Sequence, residues 1–248
     1  MKYAQFGNYE ALNIKMIRDD EHPELVFSFG GDGTMLAAIH RYLDQLEQVK
    51  FVGINTGKLG FFTDFDKDEL PLICEMLEKG DYEINKFHIL EYTLINQYQS
   101  ITGYAVNELA IISPVHTQNI DVFINDEHFE TFRGTGLLVS PPTGSTAYNK
   151  SLGGSVIDPH IRAIQLTEIA PINNRLFKSL SSPLVLSEKS KIALIVSENQ
   201  NLVISADGVL LDFKDVQKVM TKLSKRTVSF VVKPNTDFFH RVKRSFIK

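Results

Sequence analysis

The sequence predicts an α/β domain built on a parallel sheet, followed by a mainly β domain. Three observations carry this. Residues 25–54 read as strand, glycine turn, helix and strand. Beyond about Tyr82 the texture changes to short strand-like runs broken by turns. The 248 residues, 43% of them hydrophobic, also reach the length at which one core commonly divides into two. The expected boundaries are residues 1–85 for the α/β domain, 86–232 for the β-rich domain and 233–248 for a C-terminal segment.

Leu25-Val26-Phe27-Ser28-Phe29 is a short apolar run ended by Gly30-Gly31 and reads as a buried parallel strand. From Thr34, the apolar residues Met35, Ile39, Tyr42, Leu46 and Val49 recur at helical spacing, with Arg41, Asp44, Gln45 and Gln48 between them. Phe51-Val52-Gly53-Ile54 is the next strand, which completes a βαβ unit whose glycine loop lies at the carboxyl end of the first strand. A helix is expected over residues 68–79, stopped by Gly80, with Cys74 beside Leu70 and Leu77 on its apolar face. No neighbour in sequence lowers that thiol's pKa, so Cys74 reads as packed and inert. Strands are then expected at Tyr92–Tyr98, Tyr104–Ile112, Ile120–Ile124, Phe129–Phe132 and Leu137–Ser140. A helical stretch is expected over Ile161–Ile169, before strands at Lys191–Ser197, Leu202–Ser205 and Val228–Val232. Beyond Pro234, Arg241, Lys243, Arg244 and Lys248 alternate with Phe238, Phe239 and Phe246 as in a short amphipathic helix docked on the body. There is no internal repeat.

Composition narrows the function classes. A formal net charge of −4 offers no global footprint for nucleic acid or an anionic membrane. A single cysteine forbids an intrachain disulfide, and neither an apolar leader nor a run of about 18 apolar residues is present; together these predict a cytoplasmic protein. The histidines at 22, 40, 88, 116, 128, 160 and 240 lack metal-ligand spacing, so no protein-bound metal site is expected.

Gly30-Gly31-Asp32-Gly33-Thr34 joins a strand to a helix, where backbone N–H groups and the helix N-terminus can converge on a phosphate. Asp32 or Thr34 as a simple helix cap would account for part of this motif. A base for a hydroxyl nucleophile, or an indirect metal ligand, accounts for an acid beside a phosphate. The Walker pattern and the GxGxxG fingerprint are absent. Asn55-Thr56-Gly57-Lys58-Leu59-Gly60-Phe61 follows the second strand at the same sheet edge, so Lys58 can meet phosphates and Phe61 can pack on a base or in the core.

Asn107-Glu108 interrupts an apolar strand, where an amide and a carboxylate need specific partners. An amide can meet an adenine edge and a carboxylate can accept from both ribose hydroxyls. Neighbours on a regular strand face opposite sides, so a shared ligand requires an irregularity here. Arg133-Gly134-Thr135-Gly136 leads into a strand, and the hydroxyl-rich stretch Ser140 to Ser151, with Tyr148 its one aromatic, suits a nucleoside wall. Asp207-Gly208 reads as a hairpin turn.

In this order and across nearly the whole chain, these motifs resemble the NAD kinase family, whose members transfer a phosphoryl group from ATP to the adenosine-ribose 2′-hydroxyl of NAD. The GGDGT loop is shared with diacylglycerol kinases, sphingosine kinases and phosphofructokinases. Asn55-x-Gly57-x-Leu59-Gly60-Phe61, Asn107-Glu108, Thr143-Gly144-Ser145-Thr146-Ala147-Tyr148 and the stretch Gln165 to Arg175 resemble NAD kinases in particular. The resemblance implies Asp32 as the base, with Gly33 beside it, and Gly30, Gly31, Gly33, Thr34, Asn55 and Lys58 around the donor phosphates. It places Asn107 and Thr146 on the adenine, Glu108 on the ribose, and Phe61, Ala147, Tyr148 and Ser151 in the same pocket. Arg133, Thr135 and Ala170 fall near the nicotinamide half, partly across a subunit boundary. It further implies Mg²⁺ or another divalent cation arriving with the nucleotide, a homodimer or homotetramer, and a β-sandwich second domain with the C-terminal segment returning to the first.

The sequence departs from the family pattern twice. Thr135 stands where many relatives have aspartate, so a hydroxyl replaces an acid on the nicotinamide side. The region before Pro23 is short, leaving little chain for a first strand and helix. A lipid or sugar kinase using the same glycine loop, and a dinucleotide sensor without turnover, are the rival functions.

Overall fold

The computed structural model describes every residue except 10, 11, 13, 58, 59, 197–201, 235, 236 and 248. The chain forms two compact units, one of Met1–Phe87 with Arg226–Lys248, the other of His88–Lys225.

Strand β1 (Lys2–Gly7) buries both Tyr3 and Ala4, as a parallel strand covered on both faces does. It pairs in parallel with β2 (Ile17–Arg18) and with β3 (Leu25–Gly30). The short N-terminal region therefore does supply a first strand, and among the described residues no helix precedes α1 (Asp32–Arg41). The helical spacing runs on to Val49, yet α1 stops at Arg41 and a single 3₁₀ turn, Leu43–Gln45, follows. Leu46 and Val49 stay buried beyond it, so the apolar pattern outlasts the helix. Strand β4 (Lys50–Asn55) pairs in parallel with β3 and with β5 (Phe65–Asp66). Asp66 and Glu69 form a reciprocal capping box ahead of α2 (Leu70–Lys79), which Gly80 closes in the left-handed conformation. Cys74 is half-buried in α2, and burial together with the charge of Glu78 raises its pKa, in keeping with an inert thiol.

Strand β6 (Glu83–Ile95) carries the chain into the second unit and turns back as β7 (Ser100–Ala105). There follow β8 (Leu109–Ile112), β9 (Gln118–Ile124), β10 (Glu127–Gly134) and β11 (Gly136–Ser140). A 3₁₀ turn over Pro142–Thr146 and the one-turn α3 (Tyr148–Ser151) come next. Then come β12 (Ala163–Ile169), β13 (Leu184–Ser187), β14 (Lys191–Val196), β15 (Val203–Ala206) and β16 (Val209–Leu210). Strand β17 (Lys218–Val232) returns the chain to the first unit, and α4 (Phe238–Phe246) ends it. Ser197 and Lys248, at the ends of two expected segments, lie outside the described residues.

In the first unit the parallel order is β2-β1-β3-β4, extended by the Ser229–Val231 end of β17 beside β4. Its core joins Phe27, Phe29, Ile54 and Phe65 of the sheet to Ile73 and Leu77 of α2. The second unit is a sandwich. One sheet runs β10-β9-β14-β17 with β6 and β7 alongside, and the other runs β13-β12-β11-β8-β15-β16. Leu90, Val122, Phe132 and Leu194 of the first sheet share a core with Leu109, Leu137, Ile164 and Ile204 of the second.

The helix expected over Ile161–Ile169 is instead the strand β12, paired antiparallel on both sides. Both of its faces are covered, Ile164 and Leu166 by the sandwich core and Gln165 and Thr167 by the 149–155 segment. Ile164-Gln165-Leu166-Thr167 does alternate as a strand does, but over so short a run Ile161, Ile164 and Ile169 also fall near helical spacing, and strand pairing decides between the two. The stretch Tyr104–Ile112 is likewise not one strand: β7 ends at Ala105 in one sheet and β8 begins at Leu109 in the other, with the bend at Val106–Glu108 where an irregularity was expected.

The tail docks on its own unit as a short helix. Phe61 lies 5.3 Å from Phe246 and 6.5 Å from Phe238, ring centre to ring centre. Arg241 meets Asp64 at 2.6 Å in an ion pair whose side chains are only 11% and 7% exposed. Phe132→Ala empties a fully buried position of the sandwich core and is expected to lower the unfolding free energy by about 3–5 kcal/mol in urea titrations.

Candidate functional site

In the first unit, the strand-to-helix turn is centred on Gly31, whose extended backbone precedes α1 with no side chain capping the helix. The helix N-terminus thus keeps N–H groups available for an anion. Gly31 and Gly33 border open space, since a Cβ at either would meet nothing within 4 Å, whereas the Thr34 side chain packs over Gly30.

Asp32 does not cap its helix; it reaches across to the loop after β4. Its Oδ2 accepts the N–H of Phe61 at 2.9 Å and its Oδ1 the N–H of Phe62 at 2.9 Å. That approach requires glycine at position 60, because a Cβ there would lie 2.1 Å from Oδ1. One lone pair on each oxygen is used to fix the carboxylate, and one on each is left over.

The other expected phosphate and base contacts are placed differently. Asn55 accepts the N–H of Gly57 at 3.0 Å and donates to Asp66 at 3.3 Å, so its side chain shapes the loop itself. The Phe61 ring packs on α4. Lys58 and its neighbour Leu59 lie outside the described residues.

In the second unit, the bend between β7 and β8 is organised by Asp207. Its carboxylate accepts the N–H groups of Val106 at 2.8 Å, Asn107 at 2.6 Å and Glu108 at 3.2 Å, while its own N–H donates to the Glu108 carbonyl at 3.0 Å. Asp207 and Gly208, with φ of 51° and 76°, form the expected two-residue hairpin turn between β15 and β16. The turn was legible in sequence and its carboxylate's partners were not, since they lie about a hundred positions upstream.

The bend buries two acceptors. Asn107 and Glu108 are 8% and 7% exposed, and Asn107 Oδ1 and Glu108 Oε2 have no hydrogen-bond partner among the described residues. Burial raises the Glu108 pKa to about 7, aided by the nearby Asp207 charge and opposed by the Tyr148 N–H that donates to it. Each buried acceptor without a partner carries a desolvation cost that a hydrogen-bond donor would relieve.

The hydroxyl-rich stretch divides into braces and outward groups. Thr143 donates to the Val106 carbonyl, Ser145 bonds both the N–H and the carbonyl of Ile157, and Asn149 accepts from Thr167 at 2.7 Å. Gly144 lies against the bend itself: a Cβ there would sit 1.6 Å from the Asn107 carbonyl oxygen. Thr146 and Ala147 are half-buried, and Tyr148 and Ser151 are exposed. The braces hold the strip that presents these four residues.

Arg133, Thr135 and Ala170 come together at one end of the sandwich. The Thr135 N–H donates to the Ile169 carbonyl at 3.0 Å, and the Arg133 carbonyl accepts from Ile172 at 2.7 Å. The Arg133 guanidinium stacks 3.7 Å from the centre of the Phe177 ring. Ala170 holds a φ of 45°, which costs energy in a residue with a Cβ. Nearby, Glu130 and Glu168 hold the 179–181 segment by accepting from Leu180, Ser179 and Ser181. Burial, with the charge and hydrogen bond of Glu168 adding to it, raises the Glu130 pKa to about 7 against the pull of the Leu180 N–H. Neither carboxyl stood out in the sequence, where each reads as an ordinary solvent-facing acid.

Comparison with known proteins finds family models over both parts of the chain. The family model described as ATP-NAD kinase N-terminal domain matches residues 15–82, and that described as ATP-NAD kinase C-terminal domain matches residues 106–232. The NAD kinase of Lactobacillus acidophilus is 43% identical over 94% of this chain and 87% of its own. NAD kinase 1 of Listeria monocytogenes is 40% identical over 99% of this chain and 92% of its own. Among solved structures, yeast NADH kinase complexed with NADH superimposes with a TM-score of 0.79 at 27% identity, covering 90% of this chain and 65% of that one. An NAD kinase from Archaeoglobus fulgidus in complex with ATP gives 0.71 at 25% identity, covering 90% of this chain and 84% of that one.

Gly144→Ala drives a methyl into the Asn107 carbonyl and is expected to destabilise the protein by about 3 kcal/mol or more, read as a lowered urea midpoint.

Proposed function

The chain belongs to the NAD kinase family, and from that premise we propose that Asp32 is the base through which it phosphorylates NAD. Membership sets aside the lipid or sugar kinase that the glycine loop alone leaves open. The observation that carries the reading is the carboxylate of Asp32, held at both oxygens by the Phe61 and Phe62 N–H groups beside an uncapped helix N-terminus. Phosphoryl transfer asks for position and charge neutralisation more than for covalent help.

In this reading the α1 N-terminus, with the Gly30–Thr34 loop and Lys58, receives the phosphates of ATP. A free lone pair of Asp32 takes the proton of the adenosine-ribose 2′-hydroxyl as its oxygen bonds to the γ-phosphorus and the bond to the ADP oxygen breaks, leaving NADP. A divalent cation arriving with the donor nucleotide would supply charge neutralisation, and the Asp32 lone pair not used as the base would be available to hold it indirectly. Asn107 Oδ1 accepts from the adenine amino group, with Thr146 beside it. Glu108 Oε2 accepts from ribose hydroxyls, which answers the acceptors left orphaned by the bend. Ala147, Tyr148 and Ser151 complete the adenosine wall. Arg133, Thr135 and Ala170 meet the nicotinamide half, where Thr135 offers a hydroxyl in place of an acid. The family likeness further supports a homodimer or homotetramer in the cytoplasm; no helix among the described residues is long and apolar enough to cross a membrane.

Asp32→Asn is expected to lower turnover by about 10²–10⁴-fold while NAD binding changes little, measured as NADP formed from NAD and Mg-ATP with an NADP-specific dehydrogenase. A near-normal turnover would remove Asp32 from this role.

Glu108 adds a pH dependence. Its carboxyl titrates at about 7 in the free protein, and hydroxyl donors favour the charged form, so binding releases a proton below that pH. NAD affinity should therefore climb with pH and level off above about 7. Calorimetric titrations across this range should show the climb in the wild type and a flat profile in Glu108→Gln.

A further inference from the structure

We propose that Arg241, in the C-terminal helix, is a positioning residue for Asp32, acting through the single peptide group that joins Phe61 to Phe62. The N–H end of that group, on Phe62, donates to Asp32 Oδ1 at 2.9 Å. Its carbonyl end, on Phe61, accepts from Arg241 Nη1 at 2.7 Å. A trans peptide aims its carbonyl and its N–H in opposite directions, so one planar unit links the guanidinium on one side to the carboxylate on the other. Hydrogen bonds at the two ends polarise each other, and the cation strengthens the N–H as a donor.

Two further contacts make this a fixed link. Arg241 Nη2 holds Asp64 at 2.7 Å from Oδ2 and 2.6 Å from Oδ1, with both side chains nearly out of solvent. The Asp64 N–H in turn donates to the Gly53 carbonyl of β4 at 3.2 Å. Residues 60–64 are thus clamped to the sheet at one point and to α4 at another, and Asp32 hangs from the clamped segment.

The character of α4 points the same way. It buries none of its residues fully; its Phe238 and Phe246 rings lie against Phe61, and Arg241 adds a polar anchor. Its most deeply placed charge is Arg241, whose planar fork spans a carbonyl and a carboxylate at once; a lysine carries a point charge in place of that fork.

The proposal rests on Asp32 being the base, and its test separates the two ideas. In the full-length enzyme, Arg241→Gln should speed hydrogen exchange at the Phe62 amide by about 10-fold or more. It should lower kcat by about 10–10²-fold, with KM for NAD and for ATP within about twofold of the wild type. In the Asp32→Asn background the same change should lower the residual turnover by less than about twofold, because the group it positions is gone. Arg241→Lys, which keeps a charge for Asp64, should recover part of the loss, and it carries the same cycle if the glutamine variant does not fold. Equal losses in both backgrounds, or unchanged exchange at Phe62, would overturn the proposal. Normal turnover in Asp32→Asn would overturn the base and with it the kinetic half, while exchange at Phe62 still reports whether Arg241 holds the loop.

Discussion

Backbone that leaves a sheet carries N–H groups that must find acceptors, and in both units of this protein a carboxylate supplies them. Asp32 takes the N–H groups of Phe61 and Phe62, and Asp207 those of Val106, Asn107 and Glu108. An ionised carboxylate forms hydrogen bonds roughly twice as strong as neutral ones, so each carboxylate holds a segment that no ladder holds. In the proposed function these irregular segments carry the chemistry. At 61–62 the loop fixes the acid beside an open helix N-terminus, and at 106–108 the bend buries an amide oxygen and a carboxyl oxygen.

The close approaches follow from the same constraint. Gly60 lets the loop come up to Asp32, and Gly144 lets the hydroxyl-rich strip lie against the Asn107 carbonyl. Behind that strip, Thr143, Ser145, Asn149, Gln165 and Thr167 are spent on internal hydrogen bonds. A stretch that reads as a polar wall is therefore half scaffold: its buried hydroxyls brace the backbone, and only the remaining positions face outward. Burying Asn107 Oδ1 and Glu108 Oε2 without partners among the described residues is costly, a cost that the proposed ligand would relieve.

The two units solve different problems with their hydrophobic cores. In the first, a parallel sheet covered by helices brings the ends of β3 and β4 to one edge, the arrangement that places loops at a common ligand site in open α/β sheets. In the second, a sandwich core holds two sheets rigid while the chain crosses from one to the other at 106–108. The C-terminal helix adds little apolar burial and contributes through Arg241.

The sequence by itself determined what depends on near neighbours. The strand, glycine turn and helix at 25–41, the capped helix ending at Gly80, the amphipathic tail and the break at Asn107-Glu108 were all legible, because periodicity, caps and turn residues act over a few positions. The α/β and β-rich fold class followed from these. Only the tertiary structure decided what depends on distant chain meeting. Strand β12 was read as a helix because in a run of nine residues helical and alternating spacing overlap, and its pairing with β11 and β13 decides for the strand. The acceptors of the Phe61 and Phe62 N–H groups lie 29 and 30 positions away, those of the 106–108 bend about a hundred, and the Phe61 carbonyl meets a guanidinium 180 positions on. Such pairs leave no local trace in the chain, since a carboxylate in a glycine loop or a hairpin turn looks the same whether it caps, faces water or holds another segment in place.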